Sequence, residues 1–188
     1  GQFEGTHKIN GPTLKEHFLI RHTGCYACPL ACARLTEVKA EVWGEKYAGK
    51  GEGPEYETIS ALGTNLNITN LKAIAKGNEI CNRYCIDTIS AGMTIAFACE
   101  CFEEGVITRE DTGGLELRFG DADLMLQLLE MTDRREGFGD VLAEGSAKKK
   151  KKWFQKMSFD HKNIFGCSFF FFFFFSFFFK YGGVIFFF

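Results

Sequence analysis

Between Gly24 and Cys32 the chain reads Gly-Cys-Tyr-Ala-Cys-Pro-Leu-Ala-Cys, which puts three thiols within eight residues as C-x2-C-x3-C. Thiols this close bridge one another only with strain. Three thiolates on a loop folded back on itself can instead grip one soft metal centre. Pro29, directly after Cys28, stops a helix from running through the first two ligands. The spacing leaves three readings open. One is a zinc site closed by His22, three residues ahead of Cys25. The second is an iron–sulfur cluster whose fourth ligand comes from elsewhere. The third is a set of unliganded core thiols. The loop alone does not choose among them.

The other cysteines do not form a disulfide framework. Cys81 and Cys85 sit four apart, and Cys99 and Cys101 two apart, which suits buried thiols in a reducing, cytoplasmic setting. With 188 residues the chain is one domain or part of a larger one. Its net charge of -2 carries no basic excess for nucleic acid and no acidic tail. The start, Gly1-Gln2-Phe3-Glu4-Gly5, is polar, resembles no signal peptide and lacks Met, so it is expected to be cut from a longer chain.

Periodicity and capping residues predict a mainly α chain. Thr13 is expected to cap a first helix that starts at Leu14 and ends near His22-Thr23-Gly24, with Leu14, Phe18 and Arg21 on one face and Gly24 as the turn. Residues 35–42 alternate with period two and predict a short strand. Residues 44–53 are rich in glycine and charge and predict an exposed loop. Pro54 opens a helix whose stripe is Tyr56, Ile59, Leu62 and Leu66, with Glu55 and Glu57 at its positive end. Asn70, Asp87 and Asp121 are expected N-caps of three further helices, and a last helix starts near Asp140. Residues 106–120 read as a connector.

From Lys148 the composition breaks. Five lysines in a row precede a stretch that holds 14 of the 22 phenylalanines after Ile164. The apolar run is long enough to span a bilayer, but a span built almost only of Phe and broken at Lys180-Tyr181-Gly182-Gly183 is disfavoured. Homopolymeric Lys and Phe are what A-rich and T-rich tracts encode. Residues 148–188 are therefore expected to be artefactual or disordered, and the functional domain to be 1–147.

Several short motifs, in order, carry a family resemblance. They are Gly24 to Arg34, Gly53-Pro54-Glu55-Tyr56-Glu57-Thr58, Ala61-Leu62-Gly63-Thr64-Asn65-Leu66, Asp87-Thr88-Ile89-Ser90-Ala91-Gly92, and Phe138-Gly139-Asp140-Val141-Leu142-Ala143-Glu144-Gly145-Ser146. Together they resemble the aldehyde ferredoxin oxidoreductases, the tungsten-pterin enzymes of anaerobes, over roughly 1–147.

The resemblance implies a helical domain with an irregular Cys-rich loop, forming an incomplete fragment of an enzyme that oxidises small aldehydes to acids. It implies that Cys25, Cys28 and Cys32 hold a [4Fe-4S] cluster, and that Glu57 moves protons beside a tungsten (or molybdenum) bis-pterin. Asn82 and Asp87 would contact pterin, since Asn82 to Asp87 matches the family's Asp-x-x-Gly-Leu-Asp segment. It also implies ferredoxin as electron acceptor and admits a homo-oligomer. On the residues alone, Glu57 reads as a solvated first-turn glutamate and Asp87 as a helix cap. Two departures stand out: Asn82 replaces the segment's first Asp, and Cys85 replaces its Gly. If that position needs a positive φ, the Cβ costs on the order of 1 kcal/mol. The family's other pterin domain, second pterin segment, fourth cysteine ligand and histidine region have no counterpart, and Cys167 in the tail is not taken as that ligand. No activity is expected of the fragment by itself. The rival reading is a small zinc-stabilised binding module built on His22, Cys25, Cys28 and Cys32.

Overall fold

The computed structural model describes residues 3–145, so the Lys/Phe stretch lies outside the described residues. Two short helices open the chain, α1 (Thr6–Ile9) and α2 (Gly11–His17). The cap of α2 is Asn10, whose side chain accepts the Thr13 N–H at 3.0 Å, while the Thr13 hydroxyl donates to the His7 carbonyl. The cap thus lies three residues before the expected one. Pro12 lies inside the first turn, where its missing N–H costs nothing. Leu14 and Phe18 are buried as expected, but Arg21 shares no helical face with them. The helix stops at Phe18, and Leu19–Thr23 forms strand β1.

Strand β1 exists because it has a partner. It pairs antiparallel with β2 (Ala33–Val38), Thr23 facing Ala33 and His22 facing Arg34. After β2 the chain forms α3 (Ala40–Trp43) in place of the second half of the expected strand, and a 3-10 turn at Glu45–Tyr47. The expected loop then contains β3 (Gly49–Glu52), antiparallel to β2 with Val38 opposite Gly49 and Leu35 opposite Glu52. Gly-Lys-Gly-Glu has no strand propensity, so the backbone pairing and the docking against a helix decide. The Asn78 amide donates to the Glu52 carbonyl at 2.8 Å, and the Lys76 ammonium donates to the Ala48 carbonyl at 3.1 Å.

The rest is helical, as predicted. Helix α4 (Tyr56–Leu62) has Glu55 as N-cap, so Pro54 stands just before the helix rather than in its first turn. A 3-10 turn, Thr64–Leu66, replaces its expected last turn. Asn70 caps α5 (Leu71–Arg83), Asp87 caps α6 (Thr88–Glu103) and Asp121 caps α7 (Ala122–Arg134), each side chain accepting backbone N–H groups of the first turn. Helix α8 (Phe138–Ala143) packs on α7, and no helix or strand lies between α6 and α7. Leu62, Leu66, Ile74, Met125, Leu128 and Leu129 are essentially sealed from solvent at the centre. Among the described residues no single helix is long and apolar enough to cross a membrane.

The end of α5 carries a measurable local cost. The Ile86 N–H bonds back to the Cys81 carbonyl at 2.9 Å, the pattern of a Schellman cap, and Cys85 has φ 57°. This is the position where the resemblance has glycine. Left-handed strain of about 1–2 kcal/mol exceeds the roughly 0.5–1 kcal/mol of extra chain entropy that glycine loses on folding. Cys85→Gly is therefore expected to stabilise the chain by up to about 1 kcal/mol and raise Tm by roughly 2–4 °C in a thermal melt. A lowered Tm would refute the strain.

Candidate active site

Strands β1 and β2 present the cysteines at the mouth of a hairpin. The closing pair is Thr23 with Ala33, so the nine residues between them form one loop. Ala27 (φ 58°) and Ala31 (φ 45°) are both left-handed and turn the chain back between the thiols. The Cys28 N–H donates to the Cys25 carbonyl at 3.0 Å. Gly24 lies where the loop crosses itself: a Cβ there would meet the Cys28 carbonyl oxygen at 3.1 Å and the Ala31 Cα at 3.2 Å. Two left-handed alanines cost on the order of 1–2 kcal/mol each. A loop of this shape therefore has to be held from outside.

The hold is Arg34, two residues after Cys32. Its Nη2 donates to the Glu55 carboxylate at 2.6 Å and to the Pro54 carbonyl at 3.3 Å, and its own carbonyl accepts the Gly53 N–H at 2.7 Å. These contacts join the thiol loop to the residues that start α4, whose first turn carries Glu57. One residue on, the Thr58 hydroxyl meets the Thr88 hydroxyl at 2.8 Å, joining the start of α4 to the start of α6 beside Asp87. Two polar bridges thus bring the thiol loop, Glu57 and Asp87 onto connected backbone.

Other features of the site are less assembled. Glu57 is exposed in the first turn of its helix. Asp87 accepts the Ser90 N–H at 2.7 Å as the cap of α6. Asn82 lines a cavity of about 360 Å³ between β3 and α5, together with Lys50, Glu52, Lys76, Glu79 and Arg83. Asp87 does not line that cavity. Among the described residues, no three Cys, His, Asp or Glu side chains are gathered closely enough to coordinate one ion. His22, the fourth ligand of the zinc reading, is exposed on β1.

The cysteines nonetheless sort into two chemical classes. Cys25, Cys28 and Cys32 are exposed, as soft donors must be to meet an incoming metal, and so is Cys85 past the end of α5, where a buried thiol was expected. Cys81, Cys99 and Cys101 are buried, and burial pushes each thiol up to about 12, helped by Asp87 near Cys81, by Glu103 and Asp121 near Cys99, and by Glu100 near Cys101. These three stay protonated at neutral pH and serve as core. The thiols open to an incoming metal are therefore those of the loop and not the buried ones of the helical core.

The buried thiols also set an alkaline limit. In the unfolded chain they ionise near the ordinary thiol value, so above about pH 9 the unfolded state holds fewer protons than the folded one. Stability is full below that pH and falls as pH rises toward 12, by up to about 1.4 kcal/mol per pH unit for each thiol. Urea denaturation at pH 8 and pH 10.5 is expected to show a marked loss that shrinks in Cys99→Ala. Equal sensitivity of that variant would contradict the assignment.

Known proteins resemble this chain over most of its length. The family model described as aldehyde ferredoxin oxidoreductase, domains 2 and 3, matches residues 1–164. A tungsten-containing aldehyde ferredoxin oxidoreductase from Pyrococcus abyssi is 40% identical over 148 residues, covering 77% of this chain. One of the same description from Pyrococcus furiosus is 38% identical over 147 residues, and an aliphatic sulfonate oxidoreductase, WOR-like subunit, of that organism is 31% identical over 121 residues, or 64% of this chain and 19% of its own length. The chain spans 23% of the length of each of the two aldehyde ferredoxin oxidoreductases. Among solved structures, the active-site complex BamBC of benzoyl coenzyme A reductase, in complex with 1,5 dienoyl-CoA, shares the fold with TM-score 0.59 and 22% identity, over 72% of this chain and 19% of that one.

Proposed function

The chain belongs to the aldehyde ferredoxin oxidoreductase family, and from that premise we propose that it is the cluster-binding, proton-handling part of a cytoplasmic enzyme that oxidises small aldehydes to carboxylic acids. Conversion of an aldehyde and water to an acid releases two electrons and two protons. A bound tungsten-pterin centre and a [4Fe-4S] cluster supply the two-electron and one-electron chemistry respectively. The residues of this chain hold, orient and move protons. Cys25, Cys28 and Cys32 bind the cluster as thiolates. Glu57 accepts a proton released at the reacting carbon. Asn82 and Asp87 would contact the pterin. Ferredoxin removes the electrons one at a time.

The observation that carries this reading is the pair of bridges from the thiol loop through Arg34 to the start of α4, and from Thr58 to Thr88. They keep metal-binding and proton-handling groups at one fixed relation, which an electron-transfer site requires and a free-standing zinc module does not. The test is anaerobic reconstitution of the chain with iron and sulfide, followed by metal analysis and a visible spectrum. Brown protein with iron and sulfide is expected, at less than full occupancy because the loop supplies only three thiolate ligands. One tightly held zinc and no iron would replace this reading with the zinc module.

A further inference from the structure

Ala61 to Leu66 and Gly92 carry part of the family resemblance but have no role in the chemistry above. The two segments pack on each other. A Cβ on Gly92 would meet the Ala61 carbonyl oxygen at 2.5 Å, the carbonyl carbon at 2.7 Å and the Ala61 Cβ at 2.9 Å. Helix α6 therefore lies directly on the backbone of α4, an approach that only glycine permits. Further along the same seam, the Asn65 amide donates to the Met93 sulfur at 3.2 Å. Thr58 on Thr88, Ala61 on Gly92 and Asn65 on Met93 rise together along both chains, so α4 and α6 run parallel. Parallel packing puts both helix starts, with the exposed Glu57 and Asp87, at one end.

We propose that Gly92 is a positioning residue, which sets the separation of α4 and α6 and through it the placement of Asp87 relative to Glu57. This rests on the roles given to those two carboxylates above. Gly92 lies four residues, or about 6 Å of helix, beyond Thr88. A methyl group at Gly92 meets main chain, which cannot rotate away, so α6 has to move off α4. The Thr58–Thr88 hydroxyl pair at 2.8 Å has only a few tenths of an ångström to give before its bond is lost. The start of α6 then leaves the start of α4, and Asp87 goes with it.

The seam is tested in the metal-free full chain by a double-mutant cycle of Thr58→Val and Thr88→Val, read by urea denaturation. In the parent the two hydroxyls are expected to couple by about fivefold in the unfolding constant, and in Gly92→Ala by less than about twofold. No coupling in the parent, or undiminished coupling in Gly92→Ala, overturns the positioning role. The link to the reaction is tested in the complete enzyme. There Gly92→Ala is expected to lower kcat per folded molecule at least about tenfold. Gly77→Ala is the control for lost stability. Its Cβ would meet only side-chain ends, of Leu129 at 3.2 Å, Leu62 at 3.3 Å and Met125 at 3.4 Å, and kcat is expected to hold. Equal losses in both variants, or no loss in Gly92→Ala, overturn the link. Where Gly92→Ala does not fold, Thr88→Val decides alone. It keeps the shape of the side chain, frees the start of α6 and is expected to lower kcat about threefold or more, and an unchanged kcat overturns the link. If Glu57→Gln retains turnover, the roles given to the carboxylates fail. The coupling cycle still decides the seam, because it is measured without metal or turnover.

Discussion

Gly139→Ala is expected to destabilise the chain by at least about 3 kcal/mol, although helix propensity alone predicts a gain of about 1 kcal/mol. The reversal comes from packing. A Cβ on Gly139 would overlap the Met131 carbonyl group and come within 2.5 Å of the Thr132 nitrogen, all of it backbone of α7. A side chain can rotate away, but helix backbone can yield only if α8 lifts off α7. That lift would expose Phe138 and Leu142, which are buried at the same contact. Gly11→Ala is the control: Gly11 opens α2 with nothing within 4 Å, so that change is expected to be neutral or stabilising by less than about 1 kcal/mol. Urea denaturation of the two variants beside the parent measures both. A Gly139→Ala chain as stable as Gly11→Ala would show that α7 and α8 are not in contact as described.

That contact illustrates what the sequence could and could not disclose. The caps Asn70, Asp87 and Asp121 were legible because a cap acts within three or four residues, and the apolar stripes behind them bury one face. Strands β1 and β3 were not. Leu19–Thr23 continues a helical stripe from Leu14 and Phe18, and Gly49–Glu52 has no strand-forming side chain at all. Both exist because β2 lies between them and satisfies their backbone groups. The thiol loop was legible from its spacing, and the positive φ of Cys85 from the glycine it replaces. The bridges were not. Arg34 and Glu55 are 21 residues apart, and Thr58 and Thr88 are 30 apart. An arginine two residues after a cysteine carries no local signal, and neither does a threonine one residue after a carboxylate.

In the complete enzyme, Glu57→Gln is expected to lower kcat by about 10²- to 10⁴-fold while leaving the fold intact. Glutamine keeps the shape and the hydrogen-bonding oxygen of the side chain but cannot accept a proton at neutral pH. The structural cost is small: Glu57 is exposed in the first turn of α4, so losing its charge removes only a helix-dipole term of about 0.3–1 kcal/mol. The two readings of Glu57 therefore separate in opposite measurements. A solvated helix-end glutamate would show the small stability change and full turnover. A proton acceptor would show the same small change with turnover nearly abolished. Turnover is best followed with a dye that takes electrons directly, so that ferredoxin docking does not mask the chemical step. Cluster content, read from the visible spectrum, should equal that of the parent, because Glu57 touches neither the thiol loop nor Arg34 among the described contacts. A kcat within a few-fold of the parent would remove Glu57 from the chemistry and leave the start of α4 as a support for the loop alone.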